Sequence, residues 1–225
     1  MAIPLFPPVN AVPKFTTFLP KIAMQTSLKI KLSIFMFLQY FIWGSWYVSM
    51  ATYLGKTLSF EGGQIGLAYG AFAIGAMISP FFVGLIADRY FASEKLLGFL
   101  GILGGVLMFL LPKLTTFGPF YLVLIAYCAS YAPTLALGNS LSLHHLADPR
   151  RDFPIVKTLS AVGWIAGGVT LSLMSGERSA VQFYLAGGIS VAFGLFAFTL
   201  PHTRRRRPGR TCPSAKSSAS TRSRS

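Results

Sequence analysis

The sequence predicts an all-α transmembrane protein, a six-helix bundle. Of its 225 residues, 53% are apolar and only 12% are charged, whereas a soluble domain carries about 25% charged residues. Six apolar runs are long enough to cross a bilayer core about 30 Å thick, which needs about 20 residues per helix. They are too long and too continuous for transmembrane β-strands. The composition thus excludes soluble globular, disordered and disulfide-scaffold proteins.

Residues 1–31 are expected to form a cytoplasmic leader. Five prolines interrupt residues 1–23, so no apolar run there reaches helix length, and no cleavage-type signal is evident. Met24 comes shortly before the first span. Two interpretations remain: a floppy leader from Met1, or a true start at Met24.

The membrane domain is expected over residues 32–201. Each span and its link take about 28 residues, which leaves no room for a soluble domain between them. The predicted spans are residues 32–54, 64–87, 95–111, 119–141, 157–175 and 180–200.

The distribution of Lys and Arg predicts the orientation in the membrane. The side that holds both termini and the second and fourth loops carries 17 basic residues, and the other side carries three. Basic residues accumulate on the cytoplasmic side of membrane proteins. We therefore expect a multi-pass membrane protein with both termini in the cytoplasm.

Residues 202–225 form a basic, Arg/Ser-rich tail that is expected to be disordered. The tail contributes +8 to the net charge of +14, because eight of the 20 basic residues and no acidic residue follow Pro201. Clustered Arg can attract nucleic acid or anionic lipid. A solvated topology determinant, or sequence read out of frame, explains the tail more simply, so no nucleic-acid partner is expected.

Side chains for catalysis or metal binding are not arranged in any known pattern. The two cysteines, Cys128 and Cys212, lie in an apolar run and in the tail, which argues against a disulfide or a metal site. His144 and His145 are adjacent and have no nucleophile set placed opposite them. No catalytic residue, metal or cofactor is predicted, and the protein is not expected to be an enzyme.

Small residues recur at the spacing of closely packed membrane helices. Gly66 and Gly70 form a G-x-x-x-G motif in the second span, and Gly163 and Gly167 form another in the fifth. Such faces let helix backbones approach each other in lipid. A tightly packed bundle accounts for these motifs.

Polar and aromatic side chains mark candidate binding faces in the first and fourth spans. Gln39 and Trp43 are four residues apart and share one face of the first span, and Tyr131 and Thr134 share a face of the fourth. A Gln within the bilayer must find a partner or line a wet cavity. An interhelical hydrogen bond and a ligand contact both remain open for Gln39.

The fifth span carries the sharpest functional signal. Lys157, Ala161 and Trp164 fall on one helix face. A Lys at the start of a membrane helix often extends to the interface. Alternatively, Lys157 donates hydrogen bonds to a flat polar ligand while Trp164 stacks on its ring.

Several motifs resemble those of a known transporter family. Residues 84–89 contain Gly84, Asp88 and Arg89 and resemble the G-x-x-x-D-R signature of the major facilitator superfamily. Five further stretches resemble the bacterial nucleoside:proton symporter family in order and spacing: residues 41–46, 132–139, 151–154, 163–165 and 196–201.

The resemblance implies the N-terminal half of a major facilitator transporter of the bacterial inner membrane. Transporters of this family take up nucleosides with a proton as the coupling ion. The resemblance also implies nucleoside contacts for Lys157 and Trp164, where the family more often has Arg at position 157 and Thr at position 161. Asp88 would help hold two halves together. The family has twelve helices, and its proton-carrying acids belong to the second half.

Three hypotheses follow for a chain of six spans. It is the first half of a nucleoside:proton symporter that lacks its C-terminal half, or a half-size carrier that pairs with a second copy. The third is a membrane anchor that presents the basic tail. We favour the first, with uncertain activity of the isolated chain.

Overall fold

The computed structural model describes residues 15–82, 93–146 and 148–200, and these segments are helical apart from short links. Two single turns of 3-10 helix, Leu111–Lys113 and Gly176–Arg178, lie between longer helices. The helices are α1 (Phe15–Trp46), α2 (Met50–Lys56), α3 (Gly62–Phe82), α4 (Ser93–Leu110), α5 (Phe117–His145), α6 (Pro149–Leu173) and α7 (Val181–Ala197).

The helices agree with the predicted all-α bundle. Four segments within the described ranges are long and apolar enough to cross a membrane: Gly62–Ser79, Glu94–Lys113, Phe117–His145 and Pro149–Leu173. The sixth predicted span corresponds to α7, which is apolar and 17 residues long. α1 begins at Phe15, inside the stretch predicted as a leader.

The first predicted span is not one continuous helix. α1 ends at Trp46 and α2 begins at Met50. The hydroxyl of Tyr69 on α3 bridges this break: it accepts a hydrogen bond from the Ala51 amide at 3.1 Å and donates to the Tyr47 carbonyl at 2.9 Å. The Tyr69 hydroxyl thus pairs the backbone amide and carbonyl that the interruption leaves without a helical partner. Unpaired backbone groups are costly inside a membrane.

α1 packs against α6 through close backbone contact. A Cβ atom on Gly44 would lie 2.2 Å from the Trp164 carbonyl oxygen, and Cβ atoms on Gly163 and Gly167 would lie 2.3 and 2.4 Å from carbonyl oxygens of α1. Only glycine fits at these positions. The prediction for the fifth-span G-x-x-x-G motif is therefore confirmed.

The second-span motif behaves differently. Cβ atoms on Gly66 and Gly70 would meet nothing within 4 Å in the described structure. The prediction of close packing at these two glycines was wrong for the helices described. α3 instead meets α5 through Gly75, where a Cβ would lie 2.6 Å from the Cys128 carbonyl carbon.

α4 and α7 form a third closely packed pair. A Cβ on Gly101 would lie 2.8 Å from the Gly194 Cα. Ser190 on α7 donates a hydrogen bond to the Gly101 carbonyl at 2.9 Å. The α1–α6, α3–α5 and α4–α7 pairs together enclose a core of buried aliphatic and aromatic side chains.

Polar contacts join the helices at opposite ends of the bundle. Lys29 on α1 forms a salt bridge of 2.5 Å with Asp152 in the first turn of α6. Near the other end, the buried Ser49 hydroxyl donates to Gln182 Oε1 on α7 at 2.8 Å. Lys29 pairs with Asp152, and farther along both helices Gly44 faces Trp164, so α1 and α6 run parallel.

We predict that Gly44→Ala lowers the free energy of unfolding by about 1–3 kcal/mol, because the new methyl group would overlap the α6 backbone. Thermal unfolding in detergent, followed by tryptophan fluorescence, measures this change. Gly66→Ala is the matched control, since its methyl group meets open space. Equal melting temperatures for the two variants would contradict the assigned α1–α6 contact.

Candidate functional site

Two tryptophans meet across the α1–α6 contact. The ring centroids of Trp43 and Trp164 are 4.7 Å apart and their planes lie at 88°. Phe72 from α3 stacks on Trp43, with centroids 4.6 Å apart and planes at 19°. Both tryptophans are half-buried, so this aromatic cluster keeps an accessible surface.

Glycine on each helix makes this cluster possible. Trp43 directly precedes Gly44, and Trp164 directly follows Gly163, the two glycines that let the backbones touch. Edge-to-face contact between aromatic rings at this distance is a favoured arrangement. The close approach of the helices therefore sets the geometry of the aromatic pair.

Lys157 is held inside the bundle by two neutral partners. Its Nζ donates a hydrogen bond to Tyr40 Oη on α1 at 2.6 Å and another to Asn139 Oδ1 on α5 at 3.3 Å. Nζ also lies 4.4 Å from the centroid of the Tyr40 ring. The ammonium group thus lies between α1, α5 and α6, and among the described residues one of its three N–H groups remains for a further acceptor.

The local sequence sets the start of α6 and so the position of Lys157. Asp148 is the N-cap, and its carboxylate accepts a hydrogen bond from the Arg151 amide at 3.3 Å. Pro149 follows at the first helical position, where its missing N–H costs nothing. Lys157 then lies just over two turns into the helix.

Gln39 is fully buried and makes an interhelical hydrogen bond. Its Nε2 donates to Thr134 Oγ1 on α5 at 3.1 Å. Its backbone carbonyl accepts a hydrogen bond from Tyr131 Oη at 2.5 Å. These hydrogen bonds join α1 to α5, and the ligand contact predicted for Gln39 stays a prediction.

Tyr131 lies behind the aromatic cluster and not at its open side. It is 3% exposed, its hydroxyl is occupied by Gln39, and its ring stacks on Tyr127 with planes at 14°. Its centroid is 6.5 Å from that of Trp43. Tyr131 therefore lies next to Trp43 on the buried side of the aromatic cluster.

Two polar atoms beside the site lack a hydrogen-bond partner in the described part of the chain. They are Gln39 Oε1 and Trp43 Nε1, and both atoms are buried. Unpaired polar groups are costly in a membrane. Water, a ligand or a conformational change would be needed to pair them.

Ala161 is exposed on α6 between Lys157 and Trp164. All three predicted fifth-span residues thus lie along one strip of the helix, with Ala161 leaving open space between the cation and the indole. The signature-loop residues Gly84, Asp88 and Arg89 lie outside the described residues, as does the tail.

Among the described acidic residues Glu94 is buried, with 4% of its surface exposed, and it lies in the first turn of α4. No group of three or more His, Cys, Asp or Glu side chains in the described ranges is arranged to hold a metal ion. The described carboxylates lie in links or first helical turns: Glu61, Glu94, Asp148, Asp152 and Glu177.

The partners that position Lys157 were not predicted from the sequence. Tyr40 was not singled out, although Tyr40, Trp43 and Tyr47 have the i, i+3, i+7 spacing of one helix face. Phe72 carried no recognisable signal, because stacking between α1 and α3 depends on tertiary packing.

These features define a class of protein: a multi-pass membrane bundle with a cation and aromatic rings on an internal helix face, as solute transporters have. Comparison with known protein families identifies the family to which this chain belongs. The profile described as "Nucleoside H+ symporter" matches residues 24–219. The chain belongs to the nucleoside H+ symporter family, a family of transporters rather than enzymes.

Two proteins of Escherichia coli (strain K12) are similar in sequence to this chain. The chain is 38% identical over 180 residues to YegT, a provisionally assigned nucleoside transporter, and 34% identical over 179 residues to the xanthosine permease. The alignments cover 77% and 78% of this chain but only 42% and 43% of those proteins. The chain therefore spans less than half the length of the curated relatives it matches.

A solved structure confirms the fold class. The crystal structure of the nucleoside transporter NupG (D323A mutant) superposes with a TM-score of 0.77 at 30% sequence identity. The match covers 82% of this chain and 48% of that one, and it falls on the N-terminal half of NupG. The predicted resemblance to half of a major facilitator transporter is thus confirmed.

We predict that Thr134→Val destabilises the bundle by about 1 kcal/mol, because it leaves Gln39 Nε2 buried without its partner. Adding Gln39→Leu to this variant should recover most of the loss, since both polar partners are then removed together. Thermal unfolding of the two single variants and the double variant measures the coupling. Strictly additive effects would contradict the Gln39–Thr134 hydrogen bond.

Proposed function

We propose that this chain takes part in nucleoside transport and supplies one wall of the nucleoside-binding site. The observation that carries the proposal is the half-buried Lys157 ammonium on the same strip of α6 as Trp164, whose ring contacts Trp43. A nucleoside offers a flat aromatic base and a sugar rich in hydroxyl groups. A cation with a free N–H and the half-buried Trp164 indole match those two chemical features.

In this proposal the base stacks on Trp164, and Lys157 donates a hydrogen bond to an oxygen or ring nitrogen of the nucleoside. Ala161 leaves the space between these groups open. Base stacking on an aromatic side chain contributes about 1–3 kcal/mol. Trp43 supports Trp164 through the edge-to-face contact, and its Nε1 and Gln39 Oε1 are further groups that a ligand or water would pair.

The remaining part of the site belongs to a partner in this proposal. The relatives are more than twice as long as the matched segment, and the open faces of α3 and α6 support a partner there. Met77 and Leu173 on these faces are 74% and 83% exposed. The partner we propose is a polypeptide equivalent to the second half of the relatives, and a second copy of this chain is the competing candidate.

Proton coupling would depend on that partner. The described carboxylates lie at helix starts and in links, whereas a proton carrier is expected to be an acidic group within the membrane. We therefore assign nucleoside contacts to this chain and the proton-binding acid to the partner. The excess of basic residues beside both termini supports an inner-membrane location with cytoplasmic ends.

Nucleoside binding by the purified chain in nanodiscs tests the proposed site. We expect Trp164→Ala to weaken uridine or adenosine binding by about 5- to 150-fold, the factor that loss of base stacking implies. Isothermal titration calorimetry measures the affinity.

Ile165→Ala is the control, because Ile165 is the next residue of α6 and is 63% exposed. Lys157→Met should also weaken binding, independently of stacking. Unchanged affinity in Trp164→Ala and Lys157→Met, with melting temperatures preserved, would remove the basis for this site.

Transport in liposomes distinguishes the candidate partners. We expect proton-gradient-driven uridine uptake when the chain is co-reconstituted with the second half of a related permease, and none for the chain alone. Uptake by the chain alone, abolished by Trp164→Ala, would instead favour a homodimeric carrier. Absence of uptake in both preparations, with folding verified, would refute a transport role for this chain.

A further inference from the structure

A surface groove between α1 and α6 lies apart from the candidate nucleoside site. Its volume is about 440 Å³, and none of its lining residues is among the candidate site residues. The groove is lined by Thr26, Lys29, Ile30, Ser33, Ile34, Phe37 and Leu159.

The groove is apolar along most of its length and open to the surroundings. Ile30 and Ile34 are 53% and 44% exposed, and Phe37 and Leu159 continue the apolar wall. Ile30, Ile34 and Phe37 follow the spacing i, i+4, i+7 on α1, so they form one strip along the helix axis. An apolar strip along a membrane helix suits a hydrocarbon chain.

One end of the groove is basic. Lys29 lies at this end and pairs with Asp152, so these two charges compensate each other. Lys31, Arg150 and Arg151 are exposed, and each lies within two residues of Lys29 or Asp152 in the sequence, so the Lys29–Asp152 pair brings them to this end of the groove. Asp148 is the one further acid of this α6 end, and its carboxylate caps the helix. The end of the groove therefore carries a surplus of positive charge.

We propose that this groove binds one anionic phospholipid. An acyl chain lies along Ile30, Ile34 and Leu159, and the phosphate lies beside Arg150 and Arg151. Charge complementarity selects an anionic headgroup over a zwitterionic one, because each basic residue near the membrane surface favours anionic lipid by about fivefold. The site is independent of the proposed transport function.

Native mass spectrometry of the delipidated chain in detergent tests the proposal. Phosphatidylglycerol and phosphatidylcholine with identical acyl chains are added separately. We expect one phosphatidylglycerol to remain bound at collision energies that remove phosphatidylcholine. Equal retention of the two lipids would overturn the proposal, as would displacement of phosphatidylglycerol by free glycerol phosphate.

Two pairs of variants test the two parts of the site. Leu159→Trp fills the groove and should abolish the retained lipid, whereas Ile165→Trp on the exposed side of the same helix should not. Arg150→Gln with Arg151→Gln should lower phosphatidylglycerol affinity by about fivefold for each charge removed.

The charge control is Lys56→Gln with Lys113→Gln, which removes two exposed basic residues remote from the groove. Both arginines are exposed, so their replacement leaves the core intact and the charge test remains valid even if Leu159→Trp fails to fold. Equal loss of lipid in the arginine and lysine pairs would refute a local headgroup site.

Discussion

The close contact between the α1 and α6 backbones is the constraint on which the candidate site depends. Gly44, Gly163 and Gly167 leave no room for a Cβ atom, because each faces a carbonyl oxygen of the other helix within 2.4 Å of where a Cβ would lie. The same contact brings Trp43 and Trp164 to a centroid distance of 4.7 Å. Helix packing and the geometry of the aromatic pair therefore arise from one set of glycines, and neither can change without the other.

The polar side chains of the bundle fall into two groups. Some form hydrogen bonds that hold the helices together, and others keep a hydrogen-bond donor for a ligand. Gln39, Tyr131 and Thr134 form hydrogen bonds that join α1 to α5, so these side chains mainly stabilise the packing of the helices. Lys157 differs, since Tyr40 and Asn139 occupy two of its donors and leave a third. Hydrogen bonding to neutral groups fixes the ammonium in place without neutralising its charge.

The sequence alone predicts the fold, because membrane-spanning length and apolar composition are strong local signals. It also placed Lys157, Ala161 and Trp164 on one strip of α6, since helical spacing alone determines that. It failed where tertiary packing decides: Gly66 faces open space although its motif resembles that of Gly163. The break after Trp46 was missed for the same reason, because the Tyr69 hydroxyl that compensates for it comes from another helix.

The charge of Lys157 connects the proposed binding site with the proposed partner. Among the described residues, the partners of the Lys157 ammonium are the neutral side chains of Tyr40 and Asn139, and a cation in a membrane without a counter-charge is in an unfavourable electrostatic state. A polar ligand or a carboxylate from a facing partner would each relieve that state. If both approach the same ammonium, each changes the free energy gained by the other, and by thermodynamic linkage the effect is reciprocal. An acid placed on the partner, opposite a cation on this chain, would in this way let protonation of the acid alter nucleoside affinity, which is what coupling of the two fluxes requires.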